Sequence, residues 1–412
     1  MSDEIKDEEV KEIEIDVKEV LESVKINNVN KKDEEKIRNK VESVIIEKDP
    51  IIEDEKLTKE LHAEFASFLE TSVEMIEDVG GKETISTGID LVNAILGGGF
   101  VIGALNIIVG QPGSGKSMLA IQTLGQGQRQ CGGKMIGGFL DSEHATTSLR
   151  LWNLGVRYPK LRPYSEITVE KVFKFVEGLS VFKREKKLLD TPSVVVWDSI
   201  ANTLSAKEIE TEDPNQVIGY KARLLSLLIP KYVAQCAKHN ICFLAVNQLR
   251  DVLKIDRFAP PKDLKFMSAS KDMPGGNILK YNAFQLIEMK VKTAIVDEEA
   301  AKYGFEGVIV KLKCVKNKLF PPNVEIEIVG SFVSGFSNFW TNYNFLKNTK
   351  RLKAGAWNYL ISLPEKKFRT KDAPELYKTD ETFKEKFDEA VKEAIDTEIV
   401  KKYNPDVLKE SN

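Results

Sequence analysis

The chain has 412 residues, 42% of them hydrophobic and 30% charged, with a formal net charge of −3. That length supports one large core plus a smaller unit, and the near-neutral total does not by itself point to nucleic acid. Four cysteines without a C-x-x-C pair and only three histidines argue against a disulfide framework or a structural zinc site and fit a reducing cytoplasm, and no apolar run approaches membrane-spanning length.

The charge is uneven. Residues 1–60 carry 12 Lys/Arg against 20 Asp/Glu, a local net of −8, so the rest of the chain stands near +5. Residues 1–55 are rich in Glu, Lys, Asp and Ile; short solvated helices or a poorly ordered arm both fit, and the shortage of large apolar groups favours the flexible arm. Neither composition nor sequence there resembles a signal peptide. From 56 to 82, Leu57, Leu61, Phe65, Phe68 and Leu69 recur at helical spacing, predicting an N-terminal helix whose stripe packs within the chain or against a neighbouring subunit.

Ala104–Val109 is an apolar strand, followed by Gly110-Gln111-Pro112-Gly113-Ser114-Gly115-Lys116-Ser117 and a helix-forming run from Met118 to Leu124. This is G-x-x-x-x-G-K-[ST] between a strand and a helix, the context a phosphate-binding loop requires. Glycines let backbone N–H groups approach phosphates, and the new helix directs its free N–H groups at the same anion. Lys116 is placed to neutralise β- and γ-phosphates and the Ser117 hydroxyl to ligate Mg²⁺, which makes ATP with Mg²⁺ the expected ligand pair.

Strands are expected at Met135–Asp141, Ser193–Asp198 and Ile241–Asn247, with helices over Leu149–Leu154 and Val217–His239, the latter kinked or broken near Pro230. Runs apolar on both faces belong to a parallel sheet covered by helices. Asp198, ending its strand, is the candidate Mg²⁺ carboxylate, and Glu143, just past another strand end, is the candidate base for an attacking water. Gln248 ends the next strand and is suited to sense a γ-phosphate. The segment Leu249–Met273 interleaves Arg250, Lys254, Arg257, Lys262, Lys265 and Lys271 with Phe258 and Phe266, a pattern that suits single-stranded nucleic acid or a surface insertion. Three more strands, Phe284–Val291, Gly307–Val315 and Val324–Val329, are expected at an antiparallel sheet edge. Past Gly335 the chain turns aromatic and Lys-rich, predicting a small C-terminal appendage over 336–412 that ends in a charged helix near Thr382–Tyr403.

In this order, these residues resemble the RecA-type recombinases over about 83–330. Glu83–Gly88 is similar to the entry to the RecA core, and Phe139–Val156 to the segment carrying its catalytic glutamate. VVVWDS, Lys207–Glu210, Ile218-Gly219 and Ala222-Arg223 resemble Walker B and the first DNA-binding loop; Val246–Arg250 and Gly275-Gly276-Asn277 resemble the borders of the second. The resemblance implies an α/β, RecA-like P-loop ATPase core over 83–335, a mostly parallel sheet flanked by helices, with DNA-binding loops near 208–219 and 249–276. It also implies that Lys316 and Lys318 reach a neighbour's ATP, that Arg150 stands where the family has an adenine-stacking tyrosine, and that Ile218, Gly219, Arg223, Arg250, Gly275, Gly276 and Asn277 contact DNA. The loop from Gln248 to Gly275 is longer than the family's. Trp340, Lys353–Trp357 and the Phe383–Ile395 helix look more like the UvsX recombinases of large phages.

The implied function is a DNA-dependent ATPase that forms helical homo-oligomeric filaments on single-stranded DNA and pairs it with homologous double-stranded DNA in recombination and repair. The expected setting is the cytoplasm (a host's, for a phage protein), with a single-strand-binding protein and a loading mediator as partners and no membrane. A ring-forming RecA-fold helicase is the alternative; that class takes an arginine finger from its neighbour, where this sequence has Lys316 and Lys318. A non-catalytic regulator would lack Glu143 or Asp198, and a phosphotransferase would show an acceptor-binding lid.

Overall fold

Apolar residues on both faces of the central strands set the architecture. In a computed structural model, residues 82–157, 167–251 and 271–403 are described; the acidic arm, nearly all of the helix expected over 56–82 and residues 252–270 lie outside them. A short antiparallel pair, β1 (Thr84–Ile85) and β2 (Phe100–Val101), brackets helix α1 (Asp90–Leu96). Then come β3 (Leu105–Gly110), α2 (Lys116–Gln130), β4 (Ile136–Asp141), α3 (Ser148–Asn153), α4 (Val169–Glu185) and β5 (Ser193–Asp198). α5 (Ala206–Glu210) and α6 (Tyr220–Lys238) precede β6 (Ile241–Gln248). A small ladder, β7 (Arg250–Asp251) with β8 (Lys271–Asp272), and α7 (Asn277–Asn282) lead into β9 (Gln285–Ile295), α8 (Asp297–Tyr303), β10 (Gly307–Asn317), β11 (Glu325–Ser331) and β12 (Gly335–Phe336).

Eight of these strands form one sheet in the order β12-β11-β10-β9-β3-β6-β5-β4. The five from β9 to β4 are parallel, and β10, β11 and β12 add on antiparallel. β3, β5 and β6 alternate their apolar side chains between two cores. Ile108, Val194, Val196 and Leu244 face α1 and α2; Val109, Val195, Trp197 and Phe243 face α4 and α6. That double coverage is why these strands read as unbroken hydrophobic runs.

Three expectations are corrected. β9 is not an edge strand: its first half pairs parallel with β3, and only its exposed second half, from Lys290, has edge character. The helix expected over Val217–His239, kinked or broken near Pro230, is continuous through that proline and starts later: α6 runs from Tyr220 to Lys238, after a separate 3₁₀ turn at Pro214–Val217. The third concerns α4, whose 17 residues fill a stretch for which the sequence reading names no element. Thr168 caps it by accepting from Lys171 N, and Val172, Phe173, Val176 and Leu179 form its buried stripe.

The C-terminal residues form α9 (Asn338–Asn348), a three-stranded sheet of β13 (Leu352–Lys353), β14 (Asn358–Leu360) and β15 (Leu363–Phe368), then α10 (Ala373–Thr379) and α11 (Glu381–Ile395). Their core, with Trp340, Phe383 and Phe387, also takes in Ile295 and Val329 from β9 and β11.

Candidate functional site

Every strand that ends near the phosphate loop contributes to one cluster. Gly110, the last residue of β3, lies against β9; a Cβ there would stand 2.3 Å from the Met289 carbonyl oxygen, so the loop leaves the sheet through a position only glycine fits. Gln111, Pro112 and Gly113 are exposed at the loop crest. Ser114 Oγ and Lys116 Nζ each donate to the Gln111 carbonyl at 2.8 Å, which ties the loop to the start of α2. Gly115 has φ +82° and sits over the Phe336 ring, which β12 places beneath the loop. Gln122 of α2 holds that residue at both backbone atoms, donating to Phe336 O at 2.9 Å and accepting from Phe336 N at 2.7 Å.

Asp198 and Asp141 lie side by side at the ends of β5 and β4. The Ser117 hydroxyl stands beside the Asp198 carboxyl. Burial pushes the Asp198 pKa up to about 6, against the pull of that hydroxyl; Glu143 and Asp141 add to the rise and Lys116 opposes it. Lys116 is itself buried, and its pKa is lowered by desolvation while Asp198 and Glu143 resist that shift. These mutual effects place Lys116, Ser117, Glu143 and Asp198 in one electrostatic cluster.

A hard cation fits this donor set. A desolvated carboxylate beside a hydroxyl is an oxygen-only site, and next to it the Ser199 Oγ is buried with no hydrogen-bond partner among the described residues. No group of three or more His, Cys, Asp or Glu residues forms a separate metal site among the described residues.

Two residues shape the glutamate's loop without having been assigned a role from sequence. Asp141 accepts from Glu143 N at 3.1 Å and Thr146 N at 2.9 Å, both bonds local to the loop. Asn202 Nδ2 donates to Glu143 Oε1, a contact that does not follow from local sequence because it depends on how β4 and β5 pair. Arg150 donates to the Phe332 carbonyl, so its guanidinium is anchored to the turn between β11 and β12.

Residues 64–337 match the RecA N-terminal domain. The chain belongs to the RecA family. It is 31% identical over 279 residues to Protein RecA of Thermus thermophilus, covering 67% of this chain and 75% of that one. Protein RecA of Desulforapulum autotrophicum is 32% identical over 254 residues, 61% of this chain and 66% of that relative. Protein RecA of Borrelia hermsii is 29% identical over 284 residues, covering 67% and 72%. RecA membership carries a general role in DNA recombination and repair.

The RecA-like loop borders meet in the fold. Ile218 is 71% exposed, Gly219 caps α6 in the left-handed region, and Arg223 is exposed on the first turn of that helix. Gly275 packs where a Cβ would strike Leu279 and Leu225, while a Cβ on Gly276 would stand 3.8 Å from that of Ala222; exposed Asn277 opens α7 beside them. Asn247, fully buried, donates to Pro274 O at 2.8 Å and accepts from Gln248 N at 2.9 Å, closing the base of the long segment. Gln248 pairs in register with Gly110. Arg250 pairs with Asp272 in the β7–β8 ladder, and the interior of the segment lies outside the described residues.

Lys316 and Lys318 are not brought to this cluster. Lys316 donates to the carbonyls of Lys280 and Tyr281 at 2.8 and 2.9 Å, and Lys318 lies over the Phe284 ring. Lys316 pairs with Leu286, which aligns with Ile107 early in β3, whereas the phosphate loop leaves the opposite end of that strand.

Proposed function

We propose that this RecA-family chain is a DNA-dependent ATPase that polymerises on single-stranded DNA and catalyses homologous pairing and strand exchange with double-stranded DNA. The observation that carries this reading is the register of β3 and β6. It sets Gln248 beside the phosphate loop and, through Asn247, at the base of the segment that ends in Pro274-Gly275-Gly276.

In this reading Lys116 and the backbone of Gly110–Ser117 bind the ATP phosphates, and Arg150 lies along the nucleotide base. Ser117 and Asp198 would hold Mg²⁺, which supplies neutralisation of phosphate charge when bound. Glu143 accepts a proton from water as its oxygen bonds to the γ-phosphorus. The bond from that phosphorus to the β–γ bridging oxygen breaks, leaving ADP and phosphate. Gln248 contacts the γ-phosphate and passes its presence to the second loop, so ATP favours the DNA-gripping state. Ile218, Gly219, Arg223, Arg250, Gly275, Gly276 and Asn277 form the DNA surface. Lys316 and Lys318, directed away from their own phosphate loop, act on the ATP of an adjacent subunit in a helical filament.

Trp340, the Lys353–Trp357 patch and α11 support the UvsX-like subtype, and with it a phage protein working in a host cytoplasm alongside a single-strand-binding protein and a loading mediator. No helix among the described residues is long and apolar enough to cross a membrane. The test is ATP turnover with and without single-stranded DNA, joined to electron micrographs with a non-hydrolysable ATP analogue. DNA-length filaments and DNA-stimulated turnover are expected; closed hexamers that unwind duplex would install the ring helicase instead.

A further inference from the structure

The contact between Asn202 and Glu143 has no part in binding nucleotide or DNA, yet it occupies the carboxylate that must receive a proton. Asn202 lies four residues after Asp198, at the start of the stretch leading to the first loop. Its amide Nδ2 donates to Glu143 Oε1, and both side chains are solvent-exposed. The partners do not meet by chance fluctuation of two loose loops, because both backbones are pinned. Ser142 Oγ bonds the Asp198 and Ser199 carbonyls at 3.1 and 3.2 Å and accepts from Ser199 N at 2.9 Å, fastening the glutamate's loop to the end of β5. Thr203 Oγ1 donates to Ser199 O at 2.7 Å and accepts from Trp197 Nε1 at 2.8 Å, fixing the turn that presents Asn202.

That turn is also joined to the first loop's far border. Lys221, two residues after Gly219, donates from Nζ to the Ala201 carbonyl at 3.1 Å. The residue next to Asn202 is therefore held by the first turn of α6, the turn that carries Arg223. A shift of Ile218–Arg223 draws on Ala201, and Ala201 carries Asn202 with it.

We infer that Asn202 is a positioning residue that restrains Glu143 in the DNA-free protein, and that Lys221 links this restraint to the first loop. An amide donor on one oxygen stabilises the carboxylate where it lies and holds it over the 199–203 turn, away from a water approaching the γ-phosphate. DNA engaging the 218–223 border moves the turn, the amide releases the carboxylate, and hydrolysis accelerates. The inference rests on the ATPase reading above. One hydrogen bond to an exposed charged group, worth about 1 kcal/mol, corresponds to about a fivefold change in rate.

The experiment measures kcat and KM for ATP with and without saturating single-stranded DNA, in the full chain and in Asn202→Ala, Asn202→Asp and Lys221→Met. Wild type comes first: if DNA leaves its turnover unchanged, the DNA-dependent ATPase reading fails whatever the variants do. With stimulation established, Asn202→Ala and Asn202→Asp should each raise the DNA-free kcat about fivefold, leaving KM and the DNA-saturated kcat as in wild type. Lys221→Met should keep the low DNA-free rate and lose part of the stimulation. The inference is overturned if both Asn202 variants keep the wild-type ratio of stimulated to basal rate. A lower basal rate overturns it as well, since Asn202 would then orient the base instead of restraining it.

Discussion

Lys183 offers a test of the fold's electrostatics that is independent of the nucleotide site. It lies near the end of α4, fully buried, with Nζ donating to the carbonyls of Thr191 at 2.7 Å, His239 at 2.5 Å and Asn240 at 3.4 Å. One ammonium group thus pins the approaches to both β5 and β6. Burial lowers its pKa from 10.5 to about 8, although nearby Cys131 and Cys236 pull the other way. Because the folded value is depressed, the native state releases this proton near pH 8 while the unfolded chain keeps it to 10.5. Between those limits the unfolded state binds more protons, so stability rises with pH. Linkage gives a gain on the order of 1 kcal/mol by pH 9 and roughly 2–3 kcal/mol by pH 10, relative to neutral pH.

Lys183→Met removes the titration but leaves three carbonyls without their donor, so the variant should be less stable than wild type at pH 7. The informative quantity is the difference between the two proteins, since every other lysine, tyrosine and cysteine titrates in both. Urea unfolding in reductant at pH 7, 8, 9 and 10 should show wild type pulling ahead by roughly 2–3 kcal/mol across the series. Parallel stability curves would refute the argument, showing that the three carbonyls and residual water solvate the ammonium as well as bulk water does.

Glu143→Gln should retain ATP affinity in a direct titration while turnover falls by roughly 10²–10⁴-fold; a rate near wild type would reduce Glu143 to a loop carboxylate. Arg223→Ala should lower the salt slope of single-strand binding by about 0.7, one counterion, and an unaltered slope would remove Arg223 from the DNA surface. Lys316→Ala should weaken filament formation and DNA-stimulated turnover together. Mixing it with Lys116→Ala subunits should restore some turnover at mixed junctions, and full activity in an isolated wild-type monomer would end the trans assignment.

How far the sequence carries depends on whether a signal is local. The phosphate loop was legible because strand, glycine turn and helix start are contiguous, and Ser193–Asp198 because a strand covered on both faces is apolar throughout. β9 misled for a physical reason: Glu288, Lys290 and Lys292 alternate like the polar face of an edge strand, although Gln285–Met289, Glu288 included, runs beside β3 in the sheet interior. α4 had a readable cap and stripe, but Phe175 and the exposed Val181 and Phe182 surround that stripe with apolar residues on other faces. Asn202, Asp141 and Lys183 act through partners 59, 5 and 57 residues away at the farthest. For Asn202 and Lys183, only the pairing order of the sheet brings those groups together.

The strand ends also set the electrostatics of this site. Around Asp198 stand the carboxyl groups of Glu143 and Asp141 and the buried ammonium of Lys116; burial is the main cause of its raised pKa, and the two carboxyl groups add to it. In the proposed ATPase reading, ATP adds further negative charge to this acidic cluster, so phosphate binding at Lys116 and cation binding at Ser117 and Asp198 reinforce each other. The same electrostatics make Glu143 sensitive to small displacements. A carboxylate beside Lys116 and Asp198 changes its interaction with both when it moves by an ångström or two. In that reading, the amide of Asn202, tied through Ala201 and Lys221 to the first turn of α6, is the link that carries a signal from the loop border to Glu143.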